Sequence, residues 1–294
     1  MSVIVFGSAI ADIVFRLPNL PRPGETVLSE AGPALPGGKG LNQAIAAARD
    51  GAGVRFVGCV GRDGPGEMLR AALVAAGVDV AALRDVTEPS GLACVCVDEA
   101  GHNQIAVSPG ANRAARAEQV QEIPRGATLL MQMEVAPAEN AALIARGHAS
   151  GARLLLNLAP AGTMDPAALR ALDLLILNES EAGWLGNQLG LAASASTLHA
   201  GLGIGIAMTQ GERGVVVATT AGVVSVPAFE VTAVDTTGAG DAWCGVLAAA
   251  LDRGMPLEAS IRRANAAGAL ACTSAGAAPS MPTAAEIDRL IARG

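Results

Sequence analysis

Asp235-Thr236-Thr237-Gly238-Ala239-Gly240-Asp241 runs directly into the apolar stretch Ala242 to Leu251. The small residues at 238–240 let backbone N–H groups approach an anion without interference from side chains. The apolar stretch reads as a helix over Asp241 to Leu251, so its unpaired N–H groups and its dipole point to the same spot. Asp241 stands at the edge of that anion hole, where its carboxylate can take a proton from an attacking hydroxyl. An acid beside a phosphate site is unfavourable unless a cation or a proton transfer accompanies it. The combination implies phosphoryl-transfer chemistry.

Outward from this stretch the chain alternates strand and helix. Val3 to Gly7, Val54 to Val60, Thr128 to Met133, Arg153 to Asn157, Leu174 to Leu177 and Ile204 to Thr209 read as short buried strands. Leu41 to Arg49, Gly66 to Ala76, Ala138 to Ala149 and Glu179 to Leu189 read as helices between or after them, and Leu257 to Ala271 and Thr283 to Ala292 as helices at the end. Near-continuous Val/Ile/Leu strands alternating with helices predict an α/β fold, a three-layer α/β/α arrangement around a mostly parallel central sheet. Two regions break the pattern. Val14 to Leu35 is rich in Pro and Gly and alternates weakly around Thr26 to Leu28, and Gly91 to Val107 alternates about a Glu99-Ala100-Gly101 turn. Insertions of this length are commonly functional, so the reading is one domain over residues 1–294 with a small antiparallel β lid from segments at about 13–36 and 91–108.

The composition narrows the partners. A net charge of −7 disfavours a general nucleic-acid surface, which needs a basic face. No apolar run approaches the roughly 20 residues of a bilayer helix, and the opening residues lack a basic leader, so no membrane partner and a cytoplasmic location are expected. The five cysteines show no zinc spacing and read as reduced thiols. His102, His148 and His199 share no spacing with an acid or a nucleophile and read as surface positions. Lys39 is the only lysine, and it falls inside Gly37-Gly38-Lys39-Gly40. That segment does not match the G-x-x-x-x-G-K-[ST] phosphate loop.

Gly37-Gly38-Lys39-Gly40-Leu41-Asn42-Gln43 resembles the N-terminal signature of the PfkB sugar-kinase family, and Asp235 to Asp241 resembles its C-terminal signature. Pro23 to Val27, Leu130 to Glu134, Asn178 to Glu181 and Gly276 to Ser280 are similar to further segments of the family, in the same order. The likeness spans essentially the whole chain, and six motifs in register carry far more than one glycine motif.

The resemblance implies an ATP-dependent sugar kinase that phosphorylates the primary hydroxyl of a pentose, D-ribose above others. Asp241 becomes the general base, with Gly238, Ala239 and Gly240 forming the anion hole. The sugar falls to Asp12, Gly37, Gly38, Asn42 and Glu134. Lys39 belongs to the same loop, either as positive charge near the phosphates or as a support for the sugar. ATP falls to Asn178, Thr209, Gly211, Gly214, Gly240 and Asn265, the last standing where the ribose-phosphorylating members carry a histidine. Glu181 is implied for Mg²⁺ and its waters; Asp235, Thr237, Ala271, Ser274, Gly276 and Ser280 are implied for an activating K⁺. A homodimer through paired lids is implied as well.

Without the family, Asn178 and Glu181 read equally as a helix cap, and the 209–214 segment as a hairpin turn. Ile10 stands where the ribose-phosphorylating members carry an asparagine, which keeps deoxyribose, a ketose or a nucleoside open as acceptors. A reading from another class is a sugar- or nucleotide-binding protein without catalysis, which would not need Asp241 behind Gly-Ala-Gly. An NAD-dependent dehydrogenase fails at the first strand, where Gly7 stands without a glycine triplet.

Overall fold

The computed structural model describes residues 3–29, 32–100 and 102–293. Strands β1 (Val3–Phe6), β4 (Val54–Gly61), β5 (Asp79–Val86), β8 (Thr128–Gln132), β9 (Arg153–Asn157), β10 (Leu174–Asn178), β11 (Gly205–Thr209), β12 (Val215–Thr219) and β13 (Gly222–Val226) form one sheet, in the order β13-β12-β11-β10-β9-β8-β1-β4-β5. Every pair from β11 across to β5 is parallel, whereas β11-β12-β13 is an antiparallel edge. The central strands read Leu-Leu-Met, Leu-Leu-Leu and Leu-Leu-Ile because both faces are covered.

Helices α1 (Lys39–Arg49), α2 (Gly64–Ala75), α7 (Ala239–Asp252), α8 (Leu257–Ala271) and α9 (Ala284–Ile291) cover one face. Helices α3 (Pro137–Ser150), α4 (Pro166–Arg170), α5 (Glu179–Leu189) and α6 (Ala195–Leu202) cover the other. Two separate apolar cores result, one on each side of the sheet. The three layers match the sequence expectation. The alternation did not reveal β5, β12, β13, α4 or α6. Strand β5 carries Asp79, Arg84 and Asp85 at exposed positions on the sheet edge, and β13 is mostly exposed, so neither has the apolar run of a buried strand.

The small sheet departs from its expectation in pairing. Strands β2 (Ile10–Leu17), β3 (Leu35–Gly37), β6 (Gly91–Asp98) and β7 (Asn103–Ser108) lie in the order β3-β2-β6-β7. Its central pair, β2 with β6, is parallel, so the sheet is mixed rather than antiparallel. Between β2 and β6 the chain passes through β3, α1, β4, α2 and β5. A crossover of that length permits parallel pairing, whereas a hairpin enforces the opposite. No strand forms at Thr26 to Leu28; β2 starts earlier, at Ile10, and the Pro/Gly-rich segment is its loop. Of the expected lid and turn, residues 30, 31 and Gly101 lie outside the described residues.

Beside β1 the strand order reverses, with β8 on one side and β4 on the other. In open α/β sheets the crevice at the carboxyl ends of such strands receives ligands.

Candidate active site

The residues just past β1 and β8 meet the start of α1 at this crevice. Ser8 Oγ donates to Glu134 Oε2, and the Lys39 backbone N–H donates to the same oxygen at 2.9 Å. Asp12, on β2, is half-buried beside Gly37, where a Cβ would lie 2.1 Å from Asp12 Oδ2. A side chain at Gly37 would displace this carboxylate from its position. Burial pushes Asp12 up to about 7, and the negative charges of Glu134 and Asp241 push in the same direction. A cavity of 450 Å³ opens here, lined by Glu134 together with Ile10, Asn112, Arg113, Met133 and, from the small sheet, Val107.

A second cavity, of 230 Å³, lies toward α7. Gly238, Gly240 and Asp241 form one wall, and Lys39, Asn157 and Glu181 face them. Helix α7 begins at Ala239, two residues earlier than the sequence suggests, with Gly238 as its N-cap at φ 80°. That backbone conformation excludes most side chains, and a Cβ on Gly238 would lie 2.9 Å from Ala277 Cα. The Ala239 N–H already donates to the Thr236 carbonyl at 3.3 Å. Gly240 is exposed, with open space around its Cα.

Asp241 is only 7% exposed. Its Oδ2 accepts from Asn42 Nδ2 and its Oδ1 from Gln43 Nε2, both at 3.0 Å. Asn42 Oδ1 is buried and has no partner among the described residues, so it is a free acceptor in the site. The Lys39 ammonium belongs to this second cavity. Asp241 holds its proton above the usual lysine range, against the effect of burial and with help from Glu134 and Glu181. The lysine thus divides its parts: its backbone serves Glu134, and its charge faces Asp241.

Asn178 and Glu181 form a reciprocal cap on α5. Asn178 Oδ1 accepts from the Glu181 N–H at 2.9 Å, and Glu181 Oε2 accepts from the Asn178 N–H at 2.7 Å. Both also line the second cavity, so the cap and the site are built from the same two side chains. Burial raises the Glu181 carboxyl, opposed by the Asn178 N–H and by Lys39. Thr209 lines the cavity too, whereas Gly211 and Gly214 lie in the β11–β12 hairpin turn outside its lining. Asn265 is buried on α8, where it accepts from Trp243 Nε1 at 2.8 Å and donates to the Val226 and Pro227 carbonyls. Those bonds use its polar groups inside the fold, and the structure does not bring it to the cavity.

The positions expected for a monovalent cation come together from two segments. The Val234 and Asp235 N–H groups donate to the Cys272 carbonyl. Asp235 accepts from Gly276 N–H at 2.8 Å and from Thr237 N–H at 2.9 Å. Partial burial opposes these bonds, yet they hold Asp235 below the usual carboxylate range. Ser274 N–H reaches the Ala271 carbonyl at 3.5 Å, and Ser280 Oγ donates to the Ala277 carbonyl.

Sequence reasoning missed Gln43, Gln132 and Asn157 as site residues, although the first stands inside the quoted glycine motif. Their signal was an amide closing an apolar strand core, Gln132 after Leu-Leu-Met and Asn157 after Leu-Leu-Leu, and an amide next to Asn42 on α1. All three are buried, where an amide needs partners.

The chain matches the pfkB family carbohydrate kinase description over residues 1–284. The chain belongs to the pfkB family of carbohydrate kinases. Among curated relatives in this family, it is 36% identical over 296 residues to the ribokinase of Bacillus subtilis, covering 99% of both chains. It is 35% identical to the ribokinase of Haemophilus influenzae, covering 97% of this chain and 96% of that one. Among solved pfkB-type structures, ribokinase from Thermotoga maritima superposes with a TM-score of 0.91 at 30% identity, covering 99% of each chain. Arabidopsis thaliana ribokinase, solved with ribose and ATP, superposes at 0.88 and 30% identity, covering 99% and 98%. As in those folds, a mostly parallel sheet is covered on both faces and a second, small sheet is present. Among the described residues no helix is long and apolar enough to cross a membrane.

Proposed function

We propose that this pfkB-family chain transfers the γ-phosphoryl group of ATP to the primary hydroxyl of D-ribose, giving ribose 5-phosphate and ADP. The observation that carries the reading is Asp241, buried at the wall of the 230 Å³ cavity with each carboxylate oxygen tied to one amide donor. The hydroxyl proton passes to Asp241 as the sugar oxygen bonds to the γ-phosphorus. The bond from that phosphorus to the β,γ-bridging oxygen breaks, and ADP leaves with its electrons. The sugar belongs in the 450 Å³ cavity with Glu134, near Asp12; the phosphates belong in the 230 Å³ cavity, where Lys39 and the Gly240 turn offset their charge.

The all-oxygen donors Asn178 and Glu181 fit a hard cation that keeps most of its waters. Mg²⁺ arriving with the nucleotide phosphates would neutralise part of their charge. The Asp235–Thr237 and 271–280 segments, with one carboxylate and many carbonyls, fit K⁺, which would steady the turn before α7. The small sheet serves as a lid over the sugar, with Val107 on the face that lines the cavity, and the pairing of two such lids would make a homodimer. A cytoplasmic location and a single kinase domain complete the reading.

Ile10 favours one variant of it. This apolar side chain lines the sugar cavity and offers no hydrogen bond, which suits an acceptor lacking one hydroxyl, such as deoxyribose. The test is ADP release measured with ribose, deoxyribose, fructose and adenosine, in K⁺ and in Na⁺. Ribose-dependent turnover that is faster in K⁺ is expected. Release of ADP with none of the sugars, despite ATP binding, would refute the kinase reading.

A further inference from the structure

The quoted glycine motif ends in Gln43, and nothing in the reaction as described requires a glutamine there. It is fully buried on α1, and its amide is bonded on both sides. Gln43 Nε2 donates to Asp241 Oδ1 at 3.0 Å and to Asn157 Oδ1 at 3.2 Å, which uses both N–H bonds. Gln43 Oε1 accepts from Gln132 Nε2 at 2.7 Å. The three partners come from α7, β9 and β8.

We infer that Gln43 is a positioning residue for the Asp241 carboxylate, its carbonyl oxygen held by Gln132 Nε2. A flipped Gln43 would turn its carbonyl oxygen onto Asp241 Oδ1 and its NH₂ onto the Gln132 NH₂, two like-pole contacts around a fully buried side chain. The native orientation is the one in which all three bonds are made. Asn42 Nδ2 holds the other oxygen of Asp241, so the carboxylate plane is pinned at two points by adjacent residues of one helix. Two N–H donors, one on each oxygen, fix the carboxylate plane and leave each oxygen a lone pair for the hydroxyl proton. The remaining lone pairs of the carboxylate then face the cavity. This inference rests on Asp241 being the base.

The test compares Gln43→Met, Gln43→Glu and Asp241→Asn in steady-state ribose phosphorylation from pH 5 to 9, with melting temperatures measured alongside. Gln43→Met keeps length and removes the donor; kcat should fall about 10- to 100-fold, the range for residues that orient a reacting group, with KM for ribose and ATP changed less than threefold. Gln43→Glu places a carboxylate against Asp241, and the acid limb of the kcat profile should move to higher pH by at least one unit. A packing role alone would lower the melting temperature of Gln43→Met without lowering its kcat. Should Gln43→Met prove insoluble, the isosteric Gln43→Glu carries the test by itself. A normal kcat in Gln43→Met, or an unshifted limb in Gln43→Glu, overturns the inference while Asp241→Asn remains inactive. Full turnover in Asp241→Asn overturns the base assignment instead, whatever the glutamine variants do.

Discussion

Gly245 lies one turn beyond Asp241 on α7, where that helix comes nearest to α1. A Cβ added there would sit 2.3 Å from the Gln43 carbonyl oxygen and 2.7 Å from Ala46 Cβ. Ordinary contact begins near 3.4 Å, so Gly245→Ala forces the two helices apart by about 1 Å. Overpacking of that kind costs about 1–3 kcal/mol, while alanine's better helix propensity returns about 1 kcal/mol. The net loss of stability is therefore about 0–2 kcal/mol, a fall of a few degrees in Tm for a chain this long. The catalytic loss should be larger. The bonds from Asn42 and Gln43 to Asp241 are 3.0 Å long, and an added ångström takes them past hydrogen-bond range. Misplacement by 1 Å costs on the order of 10²-fold in rate. The assay is kcat for ribose beside thermal unfolding, with Gly183→Ala as the control. Gly183 is inside α5 with nothing within 4 Å of an added Cβ, so alanine there should raise Tm slightly and leave kcat alone. If Gly245→Ala keeps the parent kcat, the close approach of α1 and α7 does not align the site, and the reasoning fails.

Asp241→Asn should lower kcat by about 10²–10⁴-fold with an unchanged melting curve, because it removes the base and little packing; turnover near the parent's would dismiss that role. Asp12 binds hydroxyls best when ionised, and its pKa is raised to about 7. The ionised fraction therefore grows as pH rises from 6 to 8, and the ribose KM should fall by about tenfold over that interval. A flat KM, or one that rises with pH, would contradict the argument, and Asp12→Asn should abolish the slope. Asp50 is fully buried and paired with Arg253 and with Arg263, which also reaches Asp288. Asp50→Ala leaves two guanidinium groups short of a partner and should cost about 3–5 kcal/mol in urea unfolding; a loss below 1 kcal/mol would show the network to be ornamental. Ile10→Asn should raise kcat/KM for ribose relative to deoxyribose, measured by competition, if the apolar wall sets that preference.

The layers of this fold were legible because burial on both faces leaves strands such as Leu154 to Leu156 and Leu174 to Leu177 no choice but to be apolar. The start of α7 was legible for a similar reason: glycines before an apolar run have few uses, and an acid after them has fewer. Asn42 and Glu134 stood inside quoted motifs, and the structure bonds Asn42 to Asp241 and Glu134 to the Lys39 N–H. The edge strands escaped notice because an exposed strand has no apolar run to announce it. Asn265 was implied for the nucleotide by the resemblance alone, and in the fold Trp243 and the Val226 and Pro227 carbonyls claim its amide.

By itself, then, the sequence determined the alternation of strand and helix, the glycine turn before the apolar helix and the acid that follows it, since each is a matter of residue type at short spacing. The tertiary structure alone decided which distant groups meet there. Parallel pairing of β2 with β6, the fork of Lys39 between Glu134 and Asp241, and the amide chain from Gln132 through Gln43 to Asp241 all join residues tens to hundreds of positions apart. Such contacts follow from how strands are ordered in a sheet and how closely two helices can pack, and local sequence carries neither.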